Sequence, residues 1–260
     1  MGFSADWLSL REPADHAARD DALLRQAARA AVRAAGDAAP VIVDLGCGTG
    51  STVRAMAAHL PADTRWRFVD NDAALLELAV ARTGAGASAH RVDLADLAGL
   101  PLEGAHLVTA SALFDLMPQA FVAALAARLA AAGVGLYAAL SYDGVMEWAP
   151  PLPEDAAVTA AFNRHQRGDK GLGPALGPDA GAITAEAFAA AGFAVRTAPS
   201  PWRLEADAAA LQAELCDGIA RAAAEAGFPG AARWGAARCA AARSTACVIG
   251  HLDVLALPRG

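Results

Sequence analysis

"VIVDLGCGTGSTV" runs from Val41 to Val53. Val41, Ile42, Val43 and Leu45 form an apolar run of strand length, and from Ser51 onward the residues suit a helix. Between the two stand Gly46, Gly48 and Gly50. Glycine lets the backbone turn sharply and leaves room for a ligand to lie against the main chain. The segment is therefore a strand, a tight turn and a helix, with a binding site expected at the turn.

The spacing of the glycines sorts the ligands such a turn accepts. A phosphate-binding P-loop needs a lysine and then Ser or Thr directly after its last glycine, and Ser51 follows Gly50. A dinucleotide fingerprint begun at Gly46 needs Gly or Ala at position 51, which is Ser51. The remaining pattern, Asp44-Leu45-Gly46-Cys47-Gly48-Thr49-Gly50, is acidic-x-Gly-x-Gly-x-Gly. Here the chain resembles the class I S-adenosylmethionine-dependent methyltransferases. The resemblance covers about residues 7–141 well and the last strands loosely, and it rests on four segments in order.

Working outward, "DDALLRQAARAAVRAAG" (20–36) has the apolar spacing of an amphipathic helix that stops at a glycine cap. Ahead of it Trp7, Arg11, Asp15 and His16 lie in a segment placed to fold over the ligand mouth. Strands at 41–45, 66–70, 89–94, 105–111 and 133–141 alternate with helices at 51–59, 73–82 and 118–132. Such alternation of apolar strands with helices predicts a parallel sheet covered on both faces. The expected fold class is α/β, a Rossmann-like three-layer α/β/α sandwich. The resemblance implies a mostly parallel seven-stranded sheet whose last strand is antiparallel.

The last third departs from simple alternation. A Pro-rich loop at 142–155 precedes a helix ending near 167, and a second loop at 172–181 precedes a helix at 184–191 and a strand at 193–198, which "PWRLE" extends. An Ala-rich helical stretch at 207–243 is broken at "GFPG", and "TACVIGHLDVLALP" closes the chain as a strand. A single domain over 1–260 is expected, with an N-terminal helical segment (1–40), a cofactor-binding core (41–141) and helical insertions at 145–182 and 207–243 that form a lid.

The resemblance implies S-adenosylmethionine as cofactor and assigns its contacts. Gly46, Gly48 and Gly50 would pass close to its amino-acid part and ribose. Asp44 would hold the turn or meet the ammonium. Asp70, ending the second strand, suits the ribose hydroxyls, and Asn71 would border the adenosine. Asp93 and Leu94 match the adenine position, although a carboxylate there also serves to cap the next turn. Ser111, after the fourth strand, would face the reactive half of the cofactor.

Methyl transfer is an in-line displacement that needs alignment and a proton acceptor. His165 is the first candidate for general base, because imidazole titrates near neutrality. Tyr142 is the second, as an orienting hydroxyl, with His16 third, and His251 is read as an edge histidine of the last strand. Asn163, Gln166 and Lys170 share one stripe of the helix that carries His165, and with Trp148 they are the candidate substrate contacts. Lys170 is the one lysine among 21 basic residues.

Composition narrows the partners. A net charge of -7 argues against a nucleic-acid surface, and "TASALFDLMP" lacks the Asn/Asp-Pro-Pro-aromatic signature of base-amino methyltransferases. No stretch reaches the length of a membrane span, and the N-terminus has no signal-peptide pattern. The four cysteines show neither zinc spacing nor C-x-x-C pairing. The expectation is a cytoplasmic enzyme methylating a nucleophilic N or O, or a C, of a small polar metabolite. No resident metal is expected, Asp115 and Asp143 being the one carboxylate pair considered. An NAD(P)-dependent reductase and a methyltransferase-like fold that binds without turnover remain as alternatives, and the oligomeric state is open.

Overall fold

The computed structural model describes residues 3–259. Two helices lead, α1 (Ala5–Ala18) and α2 (Asp21–Ala35). They are followed by β1 (Val41–Leu45), α3 (Ser51–Met56), β2 (Arg65–Asp70), α4 (Ala73–Thr83), β3 (Ala87–Arg91) and β4 (Leu107–Ser111). Then come α5 (Gln119–Ala132), β5 (Gly135–Ala149), α6 (Asp155–Gln166), α7 (Ala180–Ala190), β6 (Phe193–Pro199) and β7 (Trp202–Leu204). Helices α8 (Ala209–Glu225) and α9 (Ala231–Ala241) precede the closing strand β8 (Ala246–Pro258). Local signals set several ends. Asp20 and Asp72 accept from backbone N–H groups of the first turns of α2 and α4, and Gly133 ends α5 in the left-handed conformation.

The sheet runs β3-β2-β1-β4-β5-β8-β6, with β7 paired to β8. Strands β1 to β5 are mutually parallel, and β8 is antiparallel to β5, β6 and β7. The order reverses between β1 and β4, where an open parallel sheet leaves a crevice beyond its carboxyl ends. Successive strand residues face opposite layers. Ile42 packs in the layer with Leu23, Ala27 and Met56, whereas Val43 and Leu45 pack in the layer with Phe121, Leu125 and Phe188.

Helix α1 passes through Pro13, held where Asp15 accepts from Arg11 (Nε, 2.9 Å) and from Trp202 Nε1 at 3.0 Å. Three details differ from the sequence expectation. The sheet has eight strands, because the Ser200-Pro201 break makes Trp202–Leu204 a separate strand along β8. Strand β3 lies two to three residues earlier than predicted, so Asp93 follows it. The expected loop after Ser141 is instead a continuation of β5 to Ala149, paired to β8. Two register shifts interrupt that pairing, between Ala138 and Ser141 and between Tyr142 and Met146. Bulges of this kind bend a strand and re-aim its side chains, and Leu140, Tyr142 and Met146 all turn toward one cavity.

A third apolar cluster forms beyond the carboxyl ends of the strands. Trp148, Trp202, Trp234, Ile219 and Ile249 join the extended β5 and β8 to α6, α8 and α9. Buried Arg238 ties this unit together by reaching Asp155 at the start of α6, the Pro150 carbonyl at 2.9 Å and the face of Trp148 at 4.9 Å. Among the described residues, no helix is long and apolar enough to cross a membrane.

Candidate active site

A cavity of about 370 Å³ opens at the switch point, over the turn between β1 and α3. Gly46, Gly48 and Gly50 have φ of +59°, +52° and +80°, conformations that side chains disfavour. A Cβ at Gly46 would stand 3.0 Å from Leu113 Cδ1, and one at Gly48 3.0 Å from Leu8 Cδ1. Leu8 and Leu113 both line the cavity, so the missing side chains keep that space free.

The turn is braced from below and from the side. Asp44 does not line the cavity. It is buried beneath the turn, where Oδ1 accepts from Thr109 Oγ1 at 2.7 Å, the bracing role rather than the ammonium contact. Burial raises its carboxyl to about 6, against the opposing effects of Thr109 and Arg19. Asp70 Oδ2 accepts from Gly48 N at 3.0 Å and Oδ1 from Asp72 N at 3.1 Å. A carboxylate has about four lone-pair sites, so Asp70, which lines the cavity, retains acceptor capacity toward a ligand. Arg54 bonds the Thr49 carbonyl at 2.9 Å and pairs with Glu12 of α1, holding Glu12 below the ordinary carboxylate range.

The other cofactor candidates also border the cavity: Asn71, Asp93, Leu94 and Ser111. Asp93 has two tasks there, since its Oδ1 also caps the following turn by accepting from Ala95 N at 2.9 Å. Ser111 Oγ accepts from Arg19 Nη2 at 2.9 Å, and this fixes the floor at the end of β4. Helix α1 covers the mouth with Leu8, Arg11 and Asp15, while Lys170, Gly171 and Leu172 approach from the loop after α6.

A second cavity of about 120 Å³ adjoins the first; Phe3, Arg11, Ala112 and Leu116 border both. Its walls are largely apolar and aromatic: Trp7, Leu140, Tyr142, Met146, Phe162 and Trp202, with Asp115, Gln166 and His251 as polar members. Arg11 lies over the ring of Trp202 at 4.9 Å and that of Trp7 at 6.0 Å.

The chemical candidates divide accordingly. Tyr142 and Gln166 line the smaller cavity and Lys170 the larger one. The Tyr142 hydroxyl donates to Asn163 Oδ1 at 2.8 Å, and burial raises its pKa. Asn163, which also donates to the Gly144 carbonyl, positions Tyr142 without bordering either cavity. His165 borders neither; its Nε2 is 2.8 Å from Glu225 Oε2 and its Nδ1 3.2 Å from Lys170 Nζ, an outer latch between α6 and α8. Trp148 packs edge-on against Trp234, away from both. His16 Nε2 lies 3.0 Å from Ser51 Oγ, so it supports the turn. His251 is not at an edge, because β8 pairs on both sides, and its imidazole is buried in the smaller cavity wall.

Asp115 lines the smaller cavity, but Asp143 turns away to accept from Val145 N at 3.0 Å. Among the described residues, no group of three or more His, Cys, Asp and Glu side chains is placed to hold a metal. Sequence reasoning missed Phe162 and Trp202 as cavity walls. Trp202 follows a proline break and has no periodic neighbours, so nothing local marked it.

Residues 42–133 match a family model described as a methyltransferase domain. No match to the chain was found among curated protein sequences. A Bacillus halodurans C-125 structure assigned as a methyltransferase shares 15% identity, covering 92% of this chain and 98% of that one, with a TM-score of 0.52. A chain from the complex of the Haloferax volcanii Trm112 methyltransferase activator with a methyltransferase shares 19% identity, covering 98% and 95%, with a TM-score of 0.53. At such identities the likeness is one of fold. The family match spans the segment that carries the glycine turn, Asp70, Asp93 and Ser111, and it decides against the reductase reading. Residues 42–133 are thus a methyltransferase domain by family match, and the chain around them shares the fold of the methyltransferase structures above.

Proposed function

We propose that this enzyme transfers a methyl group from S-adenosylmethionine to a small molecule bound in the cavity beside the cofactor. The observation that carries this reading is the shared border of the two cavities: Ala112 and Leu116, directly after β4, line both. The sulfonium supplies an activated methyl group. The chain's own residues hold, align and desolvate.

The donor set suits the cofactor. Asp70 offers free lone pairs to ribose hydroxyls, Asp93 accepts from the adenine amine with Val92 and Leu94 against the ring, and the open backbone at Gly46 and Gly48 admits the amino-acid end. Arg11, pinned by Asp15, presents a cation at the mouth. Residues 41–141 act as the cofactor-binding core of one domain, and 145–182 and 207–243 as its substrate-side elaborations. Tyr142 and Gln166 are substrate contacts, and Lys170 closes the entrance.

The apolar walls shift the substrate expectation. A wholly polar metabolite would lose its hydration there without enough replacement hydrogen bonds. An apolar body with one or two polar groups fits better. The enclosed site also favours a small molecule over nucleic acid, and the free cysteines suit a cytoplasmic location.

Incubation with methyl-labelled S-adenosylmethionine and a metabolite extract, followed by separation into apolar, polar and macromolecular fractions, tests the reading. Label in the apolar small-molecule fraction is expected. Label confined to protein or nucleic acid would overturn it.

A further inference from the structure

The smaller cavity has a chemical asymmetry that its apolar lining makes conspicuous. Asp115 Oδ1 and His251 Nδ1 are both buried without a hydrogen-bond partner, and both residues line the same space. His251 is 6% exposed. Buried polar atoms are nearly always satisfied, and leaving one unmade costs about 1–3 kcal/mol. Two such atoms, on residues that both wall one small cavity, point to a ligand that completes them as it seats.

The walls say what kind of ligand. About 120 Å³ is on the scale of a cavity that holds one six-membered ring. Trp7, Tyr142, Phe162 and Trp202 surround it, with Tyr142 edge-on to Phe162 at 5.6 Å and to His251 at 6.3 Å. Aromatic walls of this sort also suit a cationic amine. Here, however, Arg11 already occupies the face of Trp202 at 4.9 Å, and a second cation beside it would be repelled. A neutral ring whose hydroxyl gains negative charge as it reacts is favoured instead.

On the reading that this cavity is the acceptor site, we propose that it takes a neutral, ring-bearing small molecule with an acidic O–H, and that Asp115 is the catalytic residue that removes the proton. The acceptor oxygen forms its bond to the methyl carbon while the O–H proton passes to the Asp115 carboxylate. The carbon–sulfur bond breaks with its electron pair kept by sulfur. Protonated Asp115 then returns the proton to solvent, and Arg11 offsets the charge that develops on oxygen. Tyr142 and His251 hold the ring and its hydroxyl in line. His251 is held neutral, its pKa lowered to about 3 by burial and Arg11, so it accepts or donates hydrogen bonds but is a poor proton carrier. Asp115 is raised to about 6 by burial, which suits a base working near neutrality.

Phenol and anisole, identical except for the masked O–H, are the probes, titrated by ligand-observed NMR into the protein saturated with S-adenosylhomocysteine. Phenol is expected to bind at least about tenfold tighter than anisole, the discrimination one satisfied buried polar group supplies. Its affinity should rise as pH climbs through about 6 and then level. The charged and titratable groups facing Asp115 are Arg11, Lys170, Tyr142 and His251. Asp115→Asn should flatten that profile while leaving the S-adenosylhomocysteine affinity unchanged. His251→Asn should weaken phenol and spare anisole. Equal binding of the two probes, or a pH dependence that survives in Asp115→Asn, would overturn the proposal. The wild-type ratio and its pH profile decide even if a variant fails to fold. Failure of the wild type to bind S-adenosylhomocysteine would overturn the cofactor reading instead, and the phenol comparison would still be made on the free protein.

Discussion

The larger and smaller cavities solve different problems with different parts of the chain. Around the glycine turn the groups that touch the main chain are tied to it: both Asp70 oxygens accept from backbone N–H groups, and Arg54 donates to the Thr49 carbonyl, while Asp44 Oδ2 beneath the turn has no partner. Around the bulged β5 and β8, Asp115 Oδ1 and His251 Nδ1 have none. The larger cavity, proposed for the cofactor, is framed by main-chain geometry at the glycine turn. The smaller cavity is built from side chains of seven separate segments, and on our proposal it is completed by what binds.

The largest effect that sharpens this contrast is at Asp253, fully buried between the layers. It accepts from Leu140 N at 2.8 Å, Tyr137 Oη at 3.0 Å and Asp20 N at 3.1 Å. Asp253→Ala strands three donors, so urea unfolding should show a loss of about 3–5 kcal/mol. A loss under about 1 kcal/mol would mean that these bonds are not what fixes the bulge at Leu140.

Next comes Gly48→Val. Its φ of +52° and the 3.0 Å approach of Leu8 Cδ1 leave a branched side chain both strained and intrusive, with backbone strain alone costing about 1–2 kcal/mol. Calorimetry should show S-adenosylhomocysteine binding weakened by about 100-fold, equivalent to about 2.7 kcal/mol. Near-native binding would place the cofactor elsewhere.

Asp44→Asn tests the brace beneath the turn. Its folded-state pKa, raised from 3.8 to about 6, means that the folded protein holds this proton more tightly than the unfolded chain does. Ionised Asp44 therefore costs stability, increasingly as pH rises from about 4 to about 6, and fully above that. Asn keeps an oxygen for Thr109 and has no charge to bury. The variant should match wild type near pH 4 and exceed it at pH 7 by about 1–3 kcal/mol in thermal or urea unfolding. A variant less stable than wild type at pH 7 would show that the buried charge is a net asset.

His165→Ala should do least. The imidazole belongs to the latch with Glu225 and Lys170, so turnover should stay within about twofold. A fall of about 100-fold or more would restore it as the base and break the assignment to Asp115.

These two regions were also unequally legible in the sequence. Asp44 through Gly50, Asp70, Asp93 and Leu94 stood at strand ends that periodicity located within a few residues, and the crevice rule then placed them together. The segment with Arg11 and Asp15 was placed over the mouth, and it lines the larger cavity there. The acceptor cavity was not legible, because β5 outruns its apolar pattern at Ser141 and depends on bulged pairing with β8, a long-range contact. His251 read as an edge residue for the same reason, since its burial requires β6 and β7 on the far side of β8. His165 drew attention by its chemistry and by polar neighbours on a helix face, features that an outer latch shares with a catalytic face.

The most direct test is thermal unfolding of the purified protein with S-adenosylhomocysteine, NADH or NADPH added separately. At about 100 times its dissociation constant a ligand stabilises by about 2.7 kcal/mol, and S-adenosylhomocysteine alone should then raise the midpoint by about 5–10 °C. A rise with a nicotinamide cofactor and none with S-adenosylhomocysteine would contradict the assignment of the glycine turn, and the function built on it.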